Sequence, residues 1–437
     1  ARAEVEVYFN HLQGKSYTDP YRHIHRQGQN LEEVLIDQIL SAKESISVAV
    51  QELRLPLVAK ALVQQQAAGV KVRVILENSY NNTLLTATDP DGDEINQHEA
   101  SRFVELFALV DKNKDKVITI SEMDDRDAVH ILRKASVPVK DDTFDGSMGS
   151  SLMHHKFVVI DNKKVIVSTA NFTISGTHGD FLTKNSVGNA NSMIKIESKE
   201  VAQIFNTEFF QMWGGRKGIS RSRFGVSKSY RGPQKAQVGS AKIEVQFSPT
   251  SKLLDWKRSV NGLIAKTLSE AKHSVSMALF VLSDQKIAEV LRKKVKAKPS
   301  FELGVLVEPK FAYRNYSETL DMWGMALLDE NCAYEEDNRV WSVPQARVGA
   351  PNMTPGDLLH HKFGVVDEET VIVGSQNWSA NANFQNDENV IVIRDAKIAQ
   401  AFKREYLRLE KNARLGASLS LLNRIERMEE ICSGLTE

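Results

Sequence analysis

Apolar residues recur at helical spacing over residues 31–42, which predicts an amphipathic helix at that place. A short run of branched residues at 46–50 predicts a strand, and a second helix and strand follow at 58–68 and 70–76. Helix and strand in turn predict an α/β fold, in which helices cover mixed sheets. The second half repeats the order, with helices at 262–271 and 287–295 and strands at 275–281 and 301–307.

The two halves share sequence as well as this order of elements. Four segments recur in the same sequence order, which makes chance a poor explanation. Ala42 lies 229 residues before Ala271, whereas His154 lies 206 residues before His360, so the first copy carries 23 extra residues between them. The recurring pairs are 5–10 with 243–248, 42–49 with 271–278, 154–157 with 360–363, and 201–205 with 398–402. The predicted parts are a first domain at 1–213 with an insertion at about 86–135, a basic linker at 214–240, a second domain at 241–413, and a C-terminal helix at 414–437.

Length and composition agree with this organisation. A chain of 437 residues is more than one core usually holds. Hydrophobic residues at 42% and charged residues at 26% exclude a mainly disordered or fibrous protein. No stretch approaches the ~18–20 apolar residues that cross a bilayer. Lys plus Arg number 56, as do Asp plus Glu, so any affinity for nucleic acid must come from local patches.

Cys332 and Cys432 are too few for a disulfide scaffold or a cysteine zinc site. They either pair or remain two separate thiols. The chain begins at Ala1 rather than Met, which is consistent with an edited sequence or with a removed export signal. In the second case the protein would be periplasmic or extracellular, and a bridge would join the C-terminal helix to the second copy.

One motif occurs twice and carries the chemistry. His154, Lys156, Asp161 and Asn171 recur at one offset of 206 residues. In a strand, residues two apart lie on the same face, so the histidine and the lysine point the same way. The full sets are His154, Lys156, Asp161, Thr169 and Asn171 in the first copy, and His360, Lys362, Asp367, Ser375 and Asn377 in the second.

These residue types suit attack on a phosphodiester. A neutral imidazole can act as the nucleophile while a second histidine protonates the leaving oxygen. Lysine and asparagine side chains can hold the phosphate oxygens without a metal. A single His-x-Lys is often only part of a surface strand, but two copies in register disfavour that interpretation.

The doubled motif resembles the signature of the phospholipase D superfamily, H-x-K-x4-D-x6-G-S-x-N. The resemblance covers nearly all of residues 4–413. It implies two tandem α-β-α sandwich domains related by a pseudo-twofold axis, with both motifs at one active site in a chain that needs no partner copy. It also implies a covalent phosphohistidine intermediate and no cofactor for catalysis.

The same resemblance assigns roles. It makes His154 and His360 the pair of nucleophile and acid, of which we take His154 as the nucleophile and leave the reverse assignment as the alternative. It also places phosphate on Lys156, Lys362, Asn171 and Asn377. Thr169 and Ser375 take the hydroxyl position, Asp161 and Asp367 have structural roles, and Glu388 orients the opposing histidine. The first copy departs from the signature at two positions, where Ala190 replaces the acid and Ser168 replaces a glycine. Asp180 is the candidate replacement for that acid.

The insertion contains a twelve-residue pattern typical of EF-hand calcium loops. Its candidate ligands are Asp111, Asn113, Asp115, the Val117 carbonyl, Thr119 and Glu122. Helices are predicted on both sides, at 99–109 and 123–132. Lys116 stands where glycine is usual, and a left-handed non-glycine residue costs roughly 1–2 kcal/mol, so we expect weak binding of a structural Ca²⁺. The alternative is a solvated acidic loop.

A second acidic stretch in the insertion, Asp89 to Asp93, does not fit the same pattern because Ala100 falls at its twelfth position. We predict a turn there, with an auxiliary ligand as the alternative.

The substrate is predicted from the basic segment 214–240. It contains Phe224 and Tyr230, and it has no acidic residue. Basic and aromatic side chains together grip phosphate backbones and single strands, so we predict a DNA endonuclease with little sequence preference. The alternatives are a phospholipase D, a catalytically silent phosphate-binding protein, and a segment that is only a solvated linker. The basic residues are Arg216, Lys217, Arg221, Arg223, Lys228, Arg231 and Lys235.

Overall fold

The computed structural model describes residues 4–86 and 97–434, and the side chains of 97–99 are left out of the description. The chain divides into two compact units. The first comprises Ala1–Ser240 with Thr354–Leu358 and Gln385–Glu388, and the second comprises the remaining residues. The segment predicted as a basic linker therefore lies within the first unit. The turn predicted around Asp89 falls outside the described residues.

The first unit is built on a mixed sheet in the order β1-β9-β8-β7-β4-β5-β6. Strand β4 pairs in parallel with β5 and antiparallel with β7, so Val50 lies opposite Lys156. Its strands are β1 (Glu4–Phe9), β2 (Ser16–Thr18), β3 (His25–Gln27), β4 (Ser45–Val50), β5 (Lys71–Leu76), β6 (Val139–Asp141), β7 (Lys156–Ile160), β8 (Lys164–Ser168), β9 (Ser192–Glu197) and β10 (Gln234–Val238). Its helices are α1 (Leu31–Leu40), α2 (Pro56–Ala67), α3 (Gln97–Val110), α4 (Ile120–Arg126), α5 (Ala128–Lys134), α6 (Ile174–Thr177) and α7 (Lys199–Trp213).

Helices cover both faces of this sheet. Ile46, Val48 and Val50 point from β4 into a buried cluster shared with α1, α2 and α5. On the other face, α7 packs against β7 and β8, and Phe205 contacts Phe157. Burial of apolar side chains on both faces explains the continuous branched runs of these strands.

The second unit repeats the plan, with strands in the order β11-β19-β17-β16-β12-β14-β15-β20. Helices α8 and α9 share its larger core cluster, and α13 packs against β12, β16 and β17. Its strands are β11 (Ala241–Ser248), β12 (Ser274–Leu279), β13 (Leu282–Ser283), β14 (Glu302–Val307), β15 (Val348–Ala350), β16 (Lys362–Val366), β17 (Thr370–Gly374), β18 (Trp378–Ser379), β19 (Glu388–Arg394) and β20 (Arg414–Leu415). Its helices are α8 (Val260–Ser269), α9 (Gln285–Ala297), α10 (Pro309–Ala312), α11 (Glu318–Met322), α12 (Ala380–Phe384), α13 (Ala396–Glu410) and α14 (Leu419–Gly434). The predicted α/β class is confirmed.

Most predicted helices differ from the structure by only a few residues at their ends, but two differ by a break or by a late start. The helix expected at 123–132 is broken, because Asp127 caps α5 by accepting from the His130 amide and also accepts from the Leu84 amide. The C-terminal helix begins at Leu419, since Arg414 and Leu415 pair with β15 instead. The structure joins Cys332 and Cys432 in a disulfide with a Cα–Cα distance of 5.5 Å.

Candidate active site

Each copy of the motif lies on a β-hairpin whose turn is held by the motif aspartate. Asp161 and Asp367 have left-handed backbones, with φ of +52° and +51°. The Asp161 carboxylate accepts the amides of residues 43–45 at 2.7–3.1 Å, and Asp367 accepts those of residues 272–274 at 2.7–2.8 Å. Burial opposes ionisation of both carboxyl groups, but these hydrogen bonds outweigh it and lower their pKa values. Both aspartates therefore sit at the strand turn and tie it to the neighbouring chain.

His154 is held by a residue 234 positions away in the chain. Its Nδ1 lies 2.7 Å from Oε2 of the fully buried Glu388, and its amide donates to the Asp387 carbonyl at 3.0 Å. A ring that donates from Nδ1 carries its lone pair on Nε2. This is the tautomer that a nucleophilic imidazole requires. The contact is the one that the resemblance implied for Glu388.

Lys156 is fully buried beside His154. Its Nζ donates to the His154 carbonyl at 2.8 Å and to Oε1 of Gln51 at 3.3 Å. Burial lowers its pKa to about 7, although Glu388 and Glu52 oppose the shift. Its ammonium ion therefore needs an anion beside it to stay charged above neutral pH.

Gln51 is a site residue that the motif did not reveal. Its Oε1 accepts from both Lys156 and Asn171, the latter at 3.2 Å. It follows directly after β4, which pairs with β7 and brings the two side chains together. The repeat offset of 229 residues pairs this position with Phe280, so no residue shared by the two copies marked it in the sequence.

The second unit has an aromatic residue at the matching position. Phe280 follows β12, and its ring centroid lies 4.9 Å from that of His360. Lys362 Nζ donates to the His360 carbonyl at 2.8 Å and lies 5.0 Å from the Phe280 centroid. The lysine of the first unit thus has an amide partner where the lysine of the second unit faces an aromatic ring.

The motif amides and hydroxyls have separate positions. Oδ1 of Asn171 and Oδ1 of Asn377 are buried without a hydrogen-bond partner. By contrast, the Thr169 hydroxyl donates to Asn191 at 2.8 Å, and the Ser375 hydroxyl accepts from the Asn389 amide at 3.0 Å. The asparagines each have a side-chain oxygen that can accept a hydrogen bond from a ligand, whereas the hydroxyl groups hold the strand ends in place.

The departures from the signature are also located. Ala190 is buried, and its amide donates to the Leu358 carbonyl at 2.8 Å. Asp180 Oδ1 accepts the amides of Leu182 and Thr183, so its carboxylate closes a turn. The Ser168 hydroxyl accepts from the Ala170 amide at 3.0 Å.

The second histidine of each motif is structural in its surroundings. His155 and His361 are completely buried, and each has Nε2 beside a glutamate of the covering helix. The distances are 3.2 Å to Glu208 and 2.8 Å to Glu405. Burial lowers the pKa of both imidazoles. These pairs attach α7 and α13 to the motif strands.

Two members of the basic segment are half-buried and paired with carboxylates. Lys228 Nζ contacts Glu208 and lies 2.6 Å from Asp387, and Arg231 lies 2.9 Å from Glu208. The Asp387 carbonyl also accepts the His154 amide. Because Lys228 pairs with the Asp387 side chain, it helps to hold in place the segment that carries Glu388. These two of the seven basic residues therefore do not contribute to an exposed basic surface. Arg216, Lys217, Arg221, Arg223 and Lys235 are exposed, while Phe224 is buried and Tyr230 is 39% exposed.

The predicted calcium loop lies between α3 and α4. Lys116 has φ of +64°, the left-handed conformation expected at this position. Asp111 and Glu122 are 7% and 9% exposed, and Oδ1 of the first and Oε1 of the second have no hydrogen-bond partner. Hydrogen bonds from Thr119 lower the pKa of Glu122, so its carboxyl group stays ionised. Two unsatisfied carboxylate oxygens at the first and last loop positions fit the ligand set for Ca²⁺.

The other candidate ligands of the loop are exposed or hydrogen-bonded within the loop. Asn113 and Asp115 are exposed and hydrogen-bonded to each other, at 2.9 Å. The Val117 amide donates to Asp115, and Thr119 forms a capping box with Glu122. Within the described residues, no group of three or more His, Cys, Asp or Glu side chains is close enough to hold a metal ion.

Comparisons with known proteins identify relatives. Residues 35–213 and 264–409 match the family model described as "Cardiolipin synthase, PLD-like domain". The chain is 43% identical over 82 residues to a "Mitochondrial cardiolipin hydrolase" of Xenopus laevis, covering 17% of this chain and 39% of that protein. It is 26% identical over 173 residues to a "Phospholipase D" of Rickettsia bellii, covering 39% and 71%. The alignments thus span about two fifths of the first curated relatives.

Among solved structures, the phosphatidylserine synthase of Haemophilus influenzae Rd KW20 is similar over 98% of this chain and 95% of that chain. The TM-score is 0.55 and the sequence identity is 10%, which shows a shared fold.

Proposed function

Because the chain belongs to the PLD-like family, we propose that it is a phosphodiesterase that works through a phosphohistidine on His154. The observation that carries this proposal is the contact between His154 and Glu388, which sets the nucleophilic tautomer in a buried position. Replacing His154 or His360 by Ala should abolish hydrolysis of bis(4-nitrophenyl) phosphate. Retained turnover in either variant would contradict the mechanism.

The proposed reaction has two displacements. Nε2 of His154 attacks phosphorus, the bond to the leaving oxygen breaks, and His360 gives that oxygen a proton. Water then attacks the phosphohistidine, losing a proton to His360, and the phosphorus–nitrogen bond breaks to restore His154. Lys156, Lys362 and the two motif asparagines would hold the non-bridging oxygens as negative charge develops.

We propose nucleic acid as the substrate, with cleavage that depends little on sequence. Five exposed cations in residues 214–240, where no carboxylate occurs, support this assignment, since phosphate backbones bind such segments through counterion release. Two of the seven predicted cations are half-buried in ion pairs, so fewer cations are available to phosphate than the composition of the segment indicates. Within the described part of the chain, no helix has both the length and the apolar character needed to cross a bilayer.

A phospholipid is the second candidate, because relatives carry the names cardiolipin hydrolase and phospholipase D. Two assays separate the candidates: plasmid degradation with a chelator present, and release of the headgroup alcohol, with phosphatidic acid as the second product, from mixed micelles that contain cardiolipin or phosphatidylcholine. We expect the plasmid to be degraded. An intact plasmid together with lipid hydrolysis would replace the first candidate by the second.

We propose further that loop 111–122 binds a structural Ca²⁺, supported by the unsatisfied oxygens of Asp111 and Glu122. Millimolar Ca²⁺ should raise the thermal midpoint, and Glu122→Gln should remove that increase while activity persists. Lys116→Gly should tighten binding about 5- to 30-fold, because it relieves the left-handed strain of roughly 1–2 kcal/mol. A thermal midpoint that does not respond to Ca²⁺ in the wild type would refute the site.

We also propose that the protein is exported and acts as a monomer. The disulfide between Cys332 and Cys432 supports an oxidising compartment. Both motif copies occur in one chain, so no second chain is needed to complete the set. Sedimentation of the active protein and cell fractionation would test the two statements.

A further inference from the structure

A basic cleft lies in the second unit, away from the repeated motif. Arg314, Arg424 and Arg427 line a cavity of about 440 Å³. A neighbouring cavity of about 300 Å³ shares Arg314 and Arg424 and adds Lys310. We call the two cavities together the arginine cleft. They lie between helix α14 and the segment that follows β14.

The three arginines have no counter-ion in the described part of the chain, where neither they nor Lys310 form an ion pair with a carboxylate. Arg424 donates to the Tyr313 carbonyl, but its Nε and the Tyr313 hydroxyl are buried without a partner. Burial lowers the pKa of Arg424, and repulsion from Arg314 and Arg427 lowers it further. Gathering like charges costs free energy that an anion in the cleft would recover.

The acidic residues of the cleft form no ion pair with these arginines in the described part of the chain. Asp329 and Glu330 also line the larger cavity. However, Asp329 Oδ1 accepts the amides of Asn331 and Ala333 at 2.9 Å, which fixes its carboxylate in a turn. Guanidinium groups suit phosphate because their planar donors match two oxygens at once. The chemistry of the cleft thus favours a phosphate group as its ligand.

A chain of contacts connects the cleft with the motif of the second unit. Glu308 accepts the Leu359 amide at 2.7 Å, directly before His360. Helix α10 follows Glu308, and the ring centroid of its Phe311 lies 4.8 Å from the ring centroid of Phe280. The Phe280 ring is the one that contacts His360. Lys310 on the same helix lines the smaller cavity. The cleft is therefore next to the element that borders His360.

We propose that Arg314, Arg424 and Arg427 bind a phosphate of the substrate strand other than the one being cleaved. This rests on the proposed nucleic-acid function. A small diester has no second phosphate and gains nothing from the cleft, whereas an oligonucleotide gains affinity. The cleft would thus select polymers over single diesters.

The test measures binding of a labelled single-stranded 12-mer to the inactive His154→Ala protein across a salt series. Arg314→Gln and Arg427→Gln should each weaken binding about 3- to 10-fold and reduce the salt slope by about 0.7. Arg424→Gln is tested in the same way, and its thermal midpoint is measured as well because the Arg424 side chain also holds α14 in place. The control is Arg404→Gln, which removes an exposed charge of α13 and should change neither value.

Activity measurements separate the possible outcomes. With His154 intact, the arginine variants should keep wild-type kcat/KM on bis(4-nitrophenyl) phosphate and lose it on the oligonucleotide through KM. Unchanged oligonucleotide binding, or equal losses on both substrates, overturns the cleft but leaves the proposed function. Failure of the wild type to cleave oligonucleotides overturns both. In that case, arginine-dependent binding to cardiolipin vesicles would move the cleft to lipid phosphates.

Discussion

The carboxylate beside His154 offers the most direct test of the mechanism. Glu388→Gln keeps the shape of the side chain and its ability to accept a hydrogen bond from Nδ1, but it removes the charge. The wild-type oxygen is fully buried and lies 2.7 Å from the ring. As the phosphohistidine forms, positive charge develops on the imidazole, and only the carboxylate can stabilise it.

The expected loss follows from the charge and its surroundings. At an effective dielectric constant of about 20, unit charges about 4 Å apart attract by roughly 4 kcal/mol. Hydrogen bonds to charged groups contribute about 1.5–3 kcal/mol. We therefore expect the variant to lose about 2–4 kcal/mol of transition-state stabilisation, which lowers kcat by about 30- to 1000-fold.

Single-turnover release of 4-nitrophenol from bis(4-nitrophenyl) phosphate measures the step that forms the phosphohistidine. The matched control is Glu405→Gln, which removes a buried carboxylate 2.8 Å from His361 but outside the proposed reacting set. The control should lower stability and leave the burst rate near that of the wild type. A Glu388→Gln rate within threefold of the wild type, or an equal loss in both variants, would refute the reasoning.

Other predictions concern charge and packing. Binding of vanadate should weaken as pH rises above about 7, because burial depresses the pKa of Lys156 and the neutral amine cannot pair with the anion. Calorimetry in two buffers should detect proton uptake on binding, and a pH-independent affinity with no uptake contradicts this. Because of the same depressed pKa, the unfolded state binds more protons than the folded state between about pH 7 and 10, so Lys156 makes the free energy of unfolding rise with pH over that range. Urea titrations of Lys156→Met should show a smaller rise. Lys228→Met should lower the free energy of unfolding by about 3–5 kcal/mol, since it leaves Asp387 buried without its cation and leaves Glu208 with Arg231 alone. A urea midpoint equal to that of the wild type would exclude this role.

The repeated hairpin could be predicted from sequence because its signals are local. The signature lies within one short segment, and strand alternation predicts His154 and Lys156 on one face, although β7 begins at Lys156. The amides that Asp161 accepts are 116–118 positions away in the sequence, so local signals do not predict them. The calcium-type loop is local as well, and the left-handed backbone at Lys116 follows from its place in the twelve-residue pattern. A break such as the one at Asp127 was missed, because its second hydrogen bond goes to the distant Leu84 amide.

Long-range contacts were decided by the tertiary structure. Gln51 reaches Lys156 only because β4 pairs with β7, and periodicity does not specify which strands become neighbours. In the sequence, Lys228 belongs to the basic segment, but in the structure its ammonium group pairs with the buried carboxylates of Glu208 and Asp387. The amino-acid sequence alone specified the proposed reacting groups and their spacing, because these lie within one short segment of each copy. Which side chains charge, orient or bury these groups was set by folding, because that depends on segments that only packing brings together.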